Sequence, residues 1–447
     1  MARVLISAVP ASGHVNPLIA IALALEAQGD HVGFVSGQTV QPQIERTGLQ
    51  FFTLPYPPGA VEEIMAAFRE PARWTSQLRR KPPQAHFFDY LEMLTQHLIG
   101  TINAFQADVL LTDLNFYAGP IAADATQLPY ASYCAIVNTL LTPDAPPYGL
   151  GSDWVPSGHW RRYLWPWLGL PMRLVVMRHD RAINATRRRF GLPAISGGLL
   201  THSPYLALVP TTDAYAYPRK HVPANLMYIG PVTTSARGEV YDDFPWEWLA
   251  GDEPTVYASM GTVVGSVALF QNIIEATRGA TWKAVLAVGR NTDPAGFHDV
   301  PTNVLIRQFV PQLELLPHVD AVISHGGNNT VSEALLHGKP LVVIPISADQ
   351  PESAARVKAC GAGIRLRPGA ATPERLRVAI ERLLTDPRHR TAAEHVQTSY
   401  QRTNGPETGA RLVNLLATLK QPISRPNDLG PTIEPEDVDR IIQANRS

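Results

Sequence analysis

The sequence is short of cysteine, of surplus charge and of long apolar runs, and each shortage closes off a class of protein. Its 447 residues hold two cysteines, Cys134 and Cys360. Each lies in an apolar stretch with no ligand-type spacing around it, so neither a disulfide framework nor a cysteine metal site is expected. Two buried thiols favour a reducing compartment, and a cytoplasmic location is expected. The formal net charge is −1, so nothing in the total favours nucleic acid or acidic partners. No apolar run approaches the roughly 18 residues of a membrane span. The opening MARVLISAVP reads as a strand; it lacks the basic region, apolar core and cleavage site of a signal peptide.

What is present is a repeated plan. Apolar residues make up 45 % of the chain and charged residues 17 %, ordinary values for a globular protein long enough for two cores. VLISAV (4–9), HVGFVS (31–36), LQFFTL (49–54), DVLLTD (108–113) and PYASYCA (129–135) read as buried strands. Pro17 is expected to open the helix after the first strand and Gly29 to close it. Residues 136–250 are less regular and rich in Pro, Trp and Arg, and are expected to combine acceptor-side helices with a linker. The plan then resumes with PTVYASM (254–260), WKAVLAV (282–288), NVLIRQF (303–309), AVISH (321–325), PLVVIP (340–345) and GIRL (363–366). Strands alternating with helices predict α/β architecture with two parallel doubly wound sheets. The expected units are 1–233, a linker at 234–250, a second unit at 251–400, and C-terminal helices at 401–447 that pack back on the first.

Doubly wound sheets place strands 1 and 4 side by side, and ligands bind at their carboxyl ends. In the first unit those ends carry His14, in a loop SGHVNP (12–17), and Asp113. In the second they carry Ser259–Thr262 and His325–Thr330. Two facing units would bring all four loops into one cleft. After AVISH, the run GGNNT opens a helix. Glycines permit close approach of the backbone to a ligand, and a helix N-terminus favours anions. His325, Asn329 and Thr330 add donors. Glu333, a turn into the helix, could accept from a ribose diol. A structural alternative stands beside this: Thr330 and Glu333 fit a capping box and Asn329 an N-cap.

The spacing H-x-G-x-N-[ST]-x-x-E, G-x-P, P-x-x-x-D-Q resembles the nucleotide-sugar signature of family 1 glycosyltransferases. Here it reads His325, Gly327, Asn329, Thr330, Glu333, Gly338, Pro340, Pro345, Asp349 and Gln350, with FVPQ (309–312) upstream. SGHVNP and SMGT add weaker similarity. The likeness is greatest to bacterial macrolide glycosyltransferases and carotenoid (zeaxanthin) glucosyltransferases. It implies the GT-B architecture, two facing Rossmann-like domains with the nucleotide sugar held by the second. By position it implies that His325, Asn329 and Thr330 hold the diphosphate with Ser259 and Thr262. Gly261, Gly327, Asn328 and Val310 complete the donor-binding set. Glu333 would hold the ribose, Asp349 and Gln350 the sugar hydroxyls, and Phe309 the base with Gln312 nearby. Many relatives have Trp where Phe309 stands. Asp-Gln favours a fully hydroxylated sugar, as in UDP-glucose, because a deoxysugar would leave polar groups unpaired.

Transfer to an alcohol requires removal of its proton, for which a neutral imidazole is well matched. His14 could serve, with Asp113 fixing its tautomer; the resemblance assigns the same pair. The expected reaction is an inverting displacement with no metal. The D-x-D match at Asp437–Asp439 reads as a solvated helix face. Phe87, Phe88, Phe116 and Tyr117 are candidates for lining a pocket for an apolar hydroxyl-bearing acceptor. WRRYLWPWLGLPMRLVVMR (160–178) fits ordinary packing, a pocket rim or contact with a membrane surface. Two other functions share the plan: a nucleotide-sugar 2-epimerase, which needs carboxylates around the sugar, and a non-catalytic binding partner, which needs neither His14 nor Asp113. Monomer and homodimer are equally compatible with the sequence.

Overall fold

The computed structural model describes the chain except for residues 70–84, 137–138, 140–141, 143–144, 147, 149–150, 153–169, 199–200, 235–243, 262–266, 291 and 447. It contains two all-parallel sheets. The first has seven strands in the order β3 (Gln50–Leu54), β2 (His31–Gly37), β1 (Arg3–Ser7), β4 (Val109–Asp113), β5 (Tyr130–Tyr133), β6 (Leu206–Val209), β7 (Leu226–Tyr228), and the second six in the order β10 (Val304–Arg307), β9 (Lys283–Ala287), β8 (Thr255–Ser259), β11 (Ala321–Ser324), β12 (Leu341–Val343), β13 (Gly363–Arg365). In both, the first and fourth strands are neighbours. β1 (Arg3–Ser7) pairs with β4 (Val109–Asp113) from Val4↔Val109 to Ser7↔Thr112. β8 (Thr255–Ser259) pairs with β11 (Ala321–Ser324) from Ala321↔Val256 to Ser324↔Ser259. These central strands are Val-, Ile-, Leu- and Ala-rich because helices cover both faces, so they bury nearly every residue rather than alternating.

The strands predicted in the first 135 residues are all present, as are the six of the second unit. Two were missed: β6 (Leu206–Val209) and β7 (Leu226–Tyr228), inside the stretch read as less regular. At four and three residues, flanked by Pro204, Pro210 and Pro223, they are too short to show a period. The same stretch holds a helix, α2 (Leu170–Arg189). The Trp-rich segment before it and most of the predicted linker lie outside the described residues. Phe244, at the linker's far end, is buried against the second unit.

The helix after β1, α1, spans Ser12–Ala27. This corrects the expectation that SGHVNP is a loop and that Pro17 opens the helix. Pro17 lies inside it, so the carbonyl of Gly13, four residues back, receives no helical hydrogen bond.

After the second sheet the chain returns to the first. Helix α5 (Gly405–Leu419) lies along α1; Leu412, Val413 and Leu416 enter the same core as Ile19 and Ile21. Asn414 Nδ2 donates to Asp30 Oδ2 at 2.6 Å. Residues beyond reach the edge of the first sheet: Tyr228 bridges Thr432 in parallel, which covers an otherwise open edge. The last helix, α6 (Pro435–Arg446), buries Val438 and Ile441 and leaves Asp439 largely exposed beside Arg411. Among the described residues no helix is long and apolar enough to cross a membrane.

Leu416 is fully buried. Leu416→Ala should cost about 2–5 kcal/mol of stability, whereas Val378→Ala, at a 65 % exposed position, should stay within about 0.5 kcal/mol; urea unfolding followed by circular dichroism separates the two.

Candidate active site

The first half of the site is built on the ends of β1 and β4. Asp113 is the last residue of β4 and is fully buried. Its Oδ1 accepts from Asn115 N at 3.1 Å and its Oδ2 from Val9 N at 3.4 Å. His14, on the first turn of α1, places Nδ1 2.8 Å from Asp113 Oδ2. Burial disfavours the imidazolium and is the largest influence on His14. Asp113's charge and hydrogen bond, with a smaller push from the Asp349 carboxylate, outweigh it, so the His14 pKa is raised above its ordinary value. That Asp349 acts on His14 at all puts the second unit's carboxylate across the cleft from the imidazole. Tyr56 and Tyr117 lie near enough to Asp113 that their hydroxyls are held above the usual range, by burial first and by Asp113 second.

The second half surrounds the start of helix α3 (Asn328–Leu336). His325 follows β11 directly. Its ring sits between two glycines: a Cβ on Gly261 would stand 2.7 Å from His325 Nε2, and one on Gly327 2.6 Å. Both positions therefore exclude a side chain. Gly326 has φ +93° and packs against Val343 and the Gln350 carbonyl, a conformation natural to glycine. Burial lowers the His325 pKa to about 4, partly opposed by the Ser259 backbone, so the ring is neutral.

The helical ladder begins with Val331 N bonding Gly327 O at 3.0 Å. The N–H groups of Asn328, Asn329 and Thr330 precede it and have no intrahelical acceptor. The N-cap is Gly327, and no side chain caps the helix. This rules out both structural alternatives: Asn329 and Thr330 lie within the helix, and Thr330 and Glu333 form no capping box. Glu333 is instead buried and accepts from Gln312 Nε2, while Gln312 Oε1 accepts from Tyr257 OH at 2.8 Å. The residues expected at base and ribose are thus already joined. Phe309 is partly exposed nearby, and Val310 is buried in the core.

At the end of β12 (Leu341–Val343), Ala348 adopts φ +53° and Asp349 precedes helix α4 (Gln350–Ala359). Gln350 Oε1 accepts from Ile346 N at 2.8 Å and Ser347 N at 2.9 Å. Its carbonyl is committed to that turn, which leaves its amide group to donate. Asp349 can only accept when ionised. The pair therefore offers one donor group and one acceptor.

The halves touch. Asn329 Nδ2 donates to Gly13 O at 3.0 Å, the carbonyl that Pro17 leaves free. Asn328 Nδ2 donates to Ala135 O at 3.3 Å. The Gly151 peptide is held at both ends, its N–H by Glu352 and its carbonyl by Arg365. Arg356, paired with Glu352 at 3.6 Å, lies under the Tyr217 ring at 4.7 Å. Sequence reasoning missed Gly151, Glu352, Arg356 and Arg365; nothing in their local pattern distinguishes them from helix and loop residues.

The structure thus brings His14 and Asp113 together, and Ser259, Gly261, His325, Gly327 and Asn328–Thr330 around a second centre facing them. Thr262 lies outside the described residues, as does the side chain of Phe87. Phe88 stacks on Tyr117 with ring centroids 5.2 Å apart. Phe116 and Tyr117 are both buried in one core cluster. Cys134 is buried and Cys360 partly so, and neither is in a disulfide; burial pushes their thiols to about 12 and about 11. Among the described residues no group of three or more His, Cys, Asp or Glu could hold a metal.

The arrangement can remove a proton on one side and receive an anionic group on the other. Residues 282–415 match the family described as Erythromycin biosynthesis protein CIII-like, C-terminal domain. The chain is 29 % identical over 419 residues to 4'-demethylrebeccamycin synthase of Lentzea aerocolonigenes, covering 89 % of this chain and 96 % of that protein. It is 26 % identical over 433 residues to the zeaxanthin glucosyltransferase of Pantoea ananas, covering 93 % and 96 %. Its fold is similar to that of the calicheamicin glycosyltransferase CalG4, with a TM-score of 0.72 at 20 % identity, covering 93 % and 98 %. Fold and site define a glycosyltransferase of the GT-B architecture. Within that class the chain is similar to the family 1 enzymes of the natural-product type.

Gly327→Ala would force the His325 ring aside. Affinity for a nucleoside diphosphate should fall at least about tenfold, or about 1.4 kcal/mol, with the fold retained; calorimetric titration with UDP checks this.

Proposed function

We propose that this enzyme moves a hexose, glucose in the first instance, from a UDP-sugar to a hydroxyl of an apolar small-molecule acceptor, with inversion and with His14 as general base. The observation that carries the reading is the 2.8 Å pairing of His14 Nδ1 with Asp113, facing a helix start that lacks any side-chain cap. With its Nδ1 proton directed at Asp113, the imidazole presents Nε2 as the acceptor atom. The acceptor oxygen attacks the anomeric carbon, Nε2 takes the hydroxyl proton, and the bond from that carbon to the diphosphate oxygen breaks. An α-linked donor gives a β-glycoside and UDP. Asp113 stabilises the imidazolium as it forms, without itself taking the proton.

The leaving diphosphate gains charge as it departs. The free N–H groups at the start of α3 and the neutral His325 ring meet that charge without reorganising. Asp349 and the Gln350 amide complement a sugar that both donates and accepts, which favours a fully hydroxylated hexose over a deoxysugar. Glu333 and Gln312 support a ribose diol and base edge.

His14→Ala should reduce transfer about 10²–10⁴-fold while leaving UDP affinity unchanged in calorimetry; near-normal turnover would refute the base. Because the His14 pKa is raised, mainly by Asp113 acting against burial, activity should fall as pH drops through that raised value. Asp113→Asn removes the charge and leaves burial, so the acidic limb of the kcat/KM profile should move to lower pH as the maximum rate falls. A limb that stays in place would remove Asp113 from the pair. Activity should persist in EDTA, measured by mass spectrometry of the glycoside with UDP- and dTDP-sugars compared as donors.

A further inference from the structure

One buried histidine has no part in the chemistry above. His179 lies in the middle of α2 and is 2 % exposed, yet neither ring nitrogen has a hydrogen-bond partner among the described residues. The helix explains its neighbours but not it. Asp180, Asn184 and Arg187 fasten the loop that follows: Asp180 accepts from Gly197 N and Gly198 N at 2.8 and 2.9 Å, Asn184 pairs with Ile195, and Arg187 Nε donates to Pro193 O at 2.8 Å. His179 and Ile183, four residues apart, share the face turned to the core, where Ile183 packs.

Its position points to the acceptor. α2 belongs to the crossover between parallel strands β5 (Tyr130–Tyr133) and β6, so it runs against them. His179 stands ten residues above the helix end at Arg189, about 15 Å. That is close to the length of a four- or five-residue strand, about 13–17 Å; Arg187 pairs with Asp124 at 2.6 Å shortly before β5 begins, so the imidazole falls toward the strand ends that carry Asp113. The ring contacts agree. His179 lies 5.1 Å from the Phe88 ring, and Phe88 stacks on Tyr117, whose hydroxyl feels Asp113. Burial, reinforced by Arg178, lowers the His179 pKa to about 4, so the ring stays neutral and keeps one donor and one acceptor.

Leaving both nitrogens of a buried imidazole unpaired is costly, and an apolar residue at this position would avoid the cost. Resting on the acceptor-side reading above, we propose that His179 is a specificity-determining residue that hydrogen-bonds a second oxygen of the acceptor, remote from the hydroxyl that reacts at His14. The acceptor class is then a planar or aromatic alcohol with two oxygen functions at opposite ends. Phe88 and Tyr117 cover its apolar middle.

The test uses the full-length enzyme, a series of linear bis-phenols of increasing length, and the mono-phenol of each. Binding is measured by calorimetry and transfer by mass spectrometry. At the matching length the wild type should bind the bis-phenol about tenfold or more tightly over its mono-phenol. His179→Phe should erase that preference to within about twofold, bind mono-phenols as before, and melt no lower than wild type. His179→Asn should restore part of the preference. The proposal is overturned if the preference survives in His179→Phe, if wild type shows none across the series, or if His179→Phe melts several degrees lower, which marks a structural histidine. Binding with the expected preference but without transfer would sink the proposed reaction and leave this inference standing.

Discussion

A carboxylate with no exposure to water governs this molecule. Asp113 can remain buried only because two backbone N–H groups and one imidazole surround it, since an unpaired charge in an apolar interior is prohibitive. Each partner constrains the fold. Val9 requires β1 beside β4. Asn115 requires the chain to turn sharply after β4. His14 requires a helix that begins almost as soon as β1 ends. The parallel order of the first sheet and the placement of α1 are therefore as much conditions of the site as its support.

The second sheet ends in a different arrangement, a helix start whose first N–H groups meet no side-chain cap. Ser324 Oγ accepts from Gly326 N, and the positive φ of Gly326 turns the chain so that the helix starts at the sheet edge. His325 fills the space left by two missing side chains. The site is rigid because it is packed, and it is polarised because the helix starts without a cap.

Much of this was legible in the sequence, for identifiable reasons. The long central strands stand out because they are apolar throughout and punctuated by Gly and Pro. Their adjacency follows from the general order of doubly wound sheets, so His14 and Asp113 could be paired from a separation of about a hundred positions. The start of α1 was hidden because Pro17 is a strong signal for a first turn, and packing overrode it. β6 and β7 were hidden by their brevity. Asn329 looked like a cap because its type and place suit one, but the chain enters the helix two residues earlier. The hold on Gly151 was invisible, since a backbone peptide gripped by a distant carboxylate and guanidinium leaves no local trace. His179 was equally silent, because its meaning lies in partners it does not have.

The return of the chain to its starting unit has a mechanical consequence. The backbone passes from the first sheet to the second after β7 and comes back at the start of α5. There Gly405 rests directly on the Pro231 carbonyl, and Gly230 on Thr403. Departure and return are thus side by side. Two bodies joined at neighbouring points swing about the line through them and resist sliding or twisting apart. Opening would then draw the His14 imidazole and the start of α3 away from each other along a single arc, and every closure would return them to the same register.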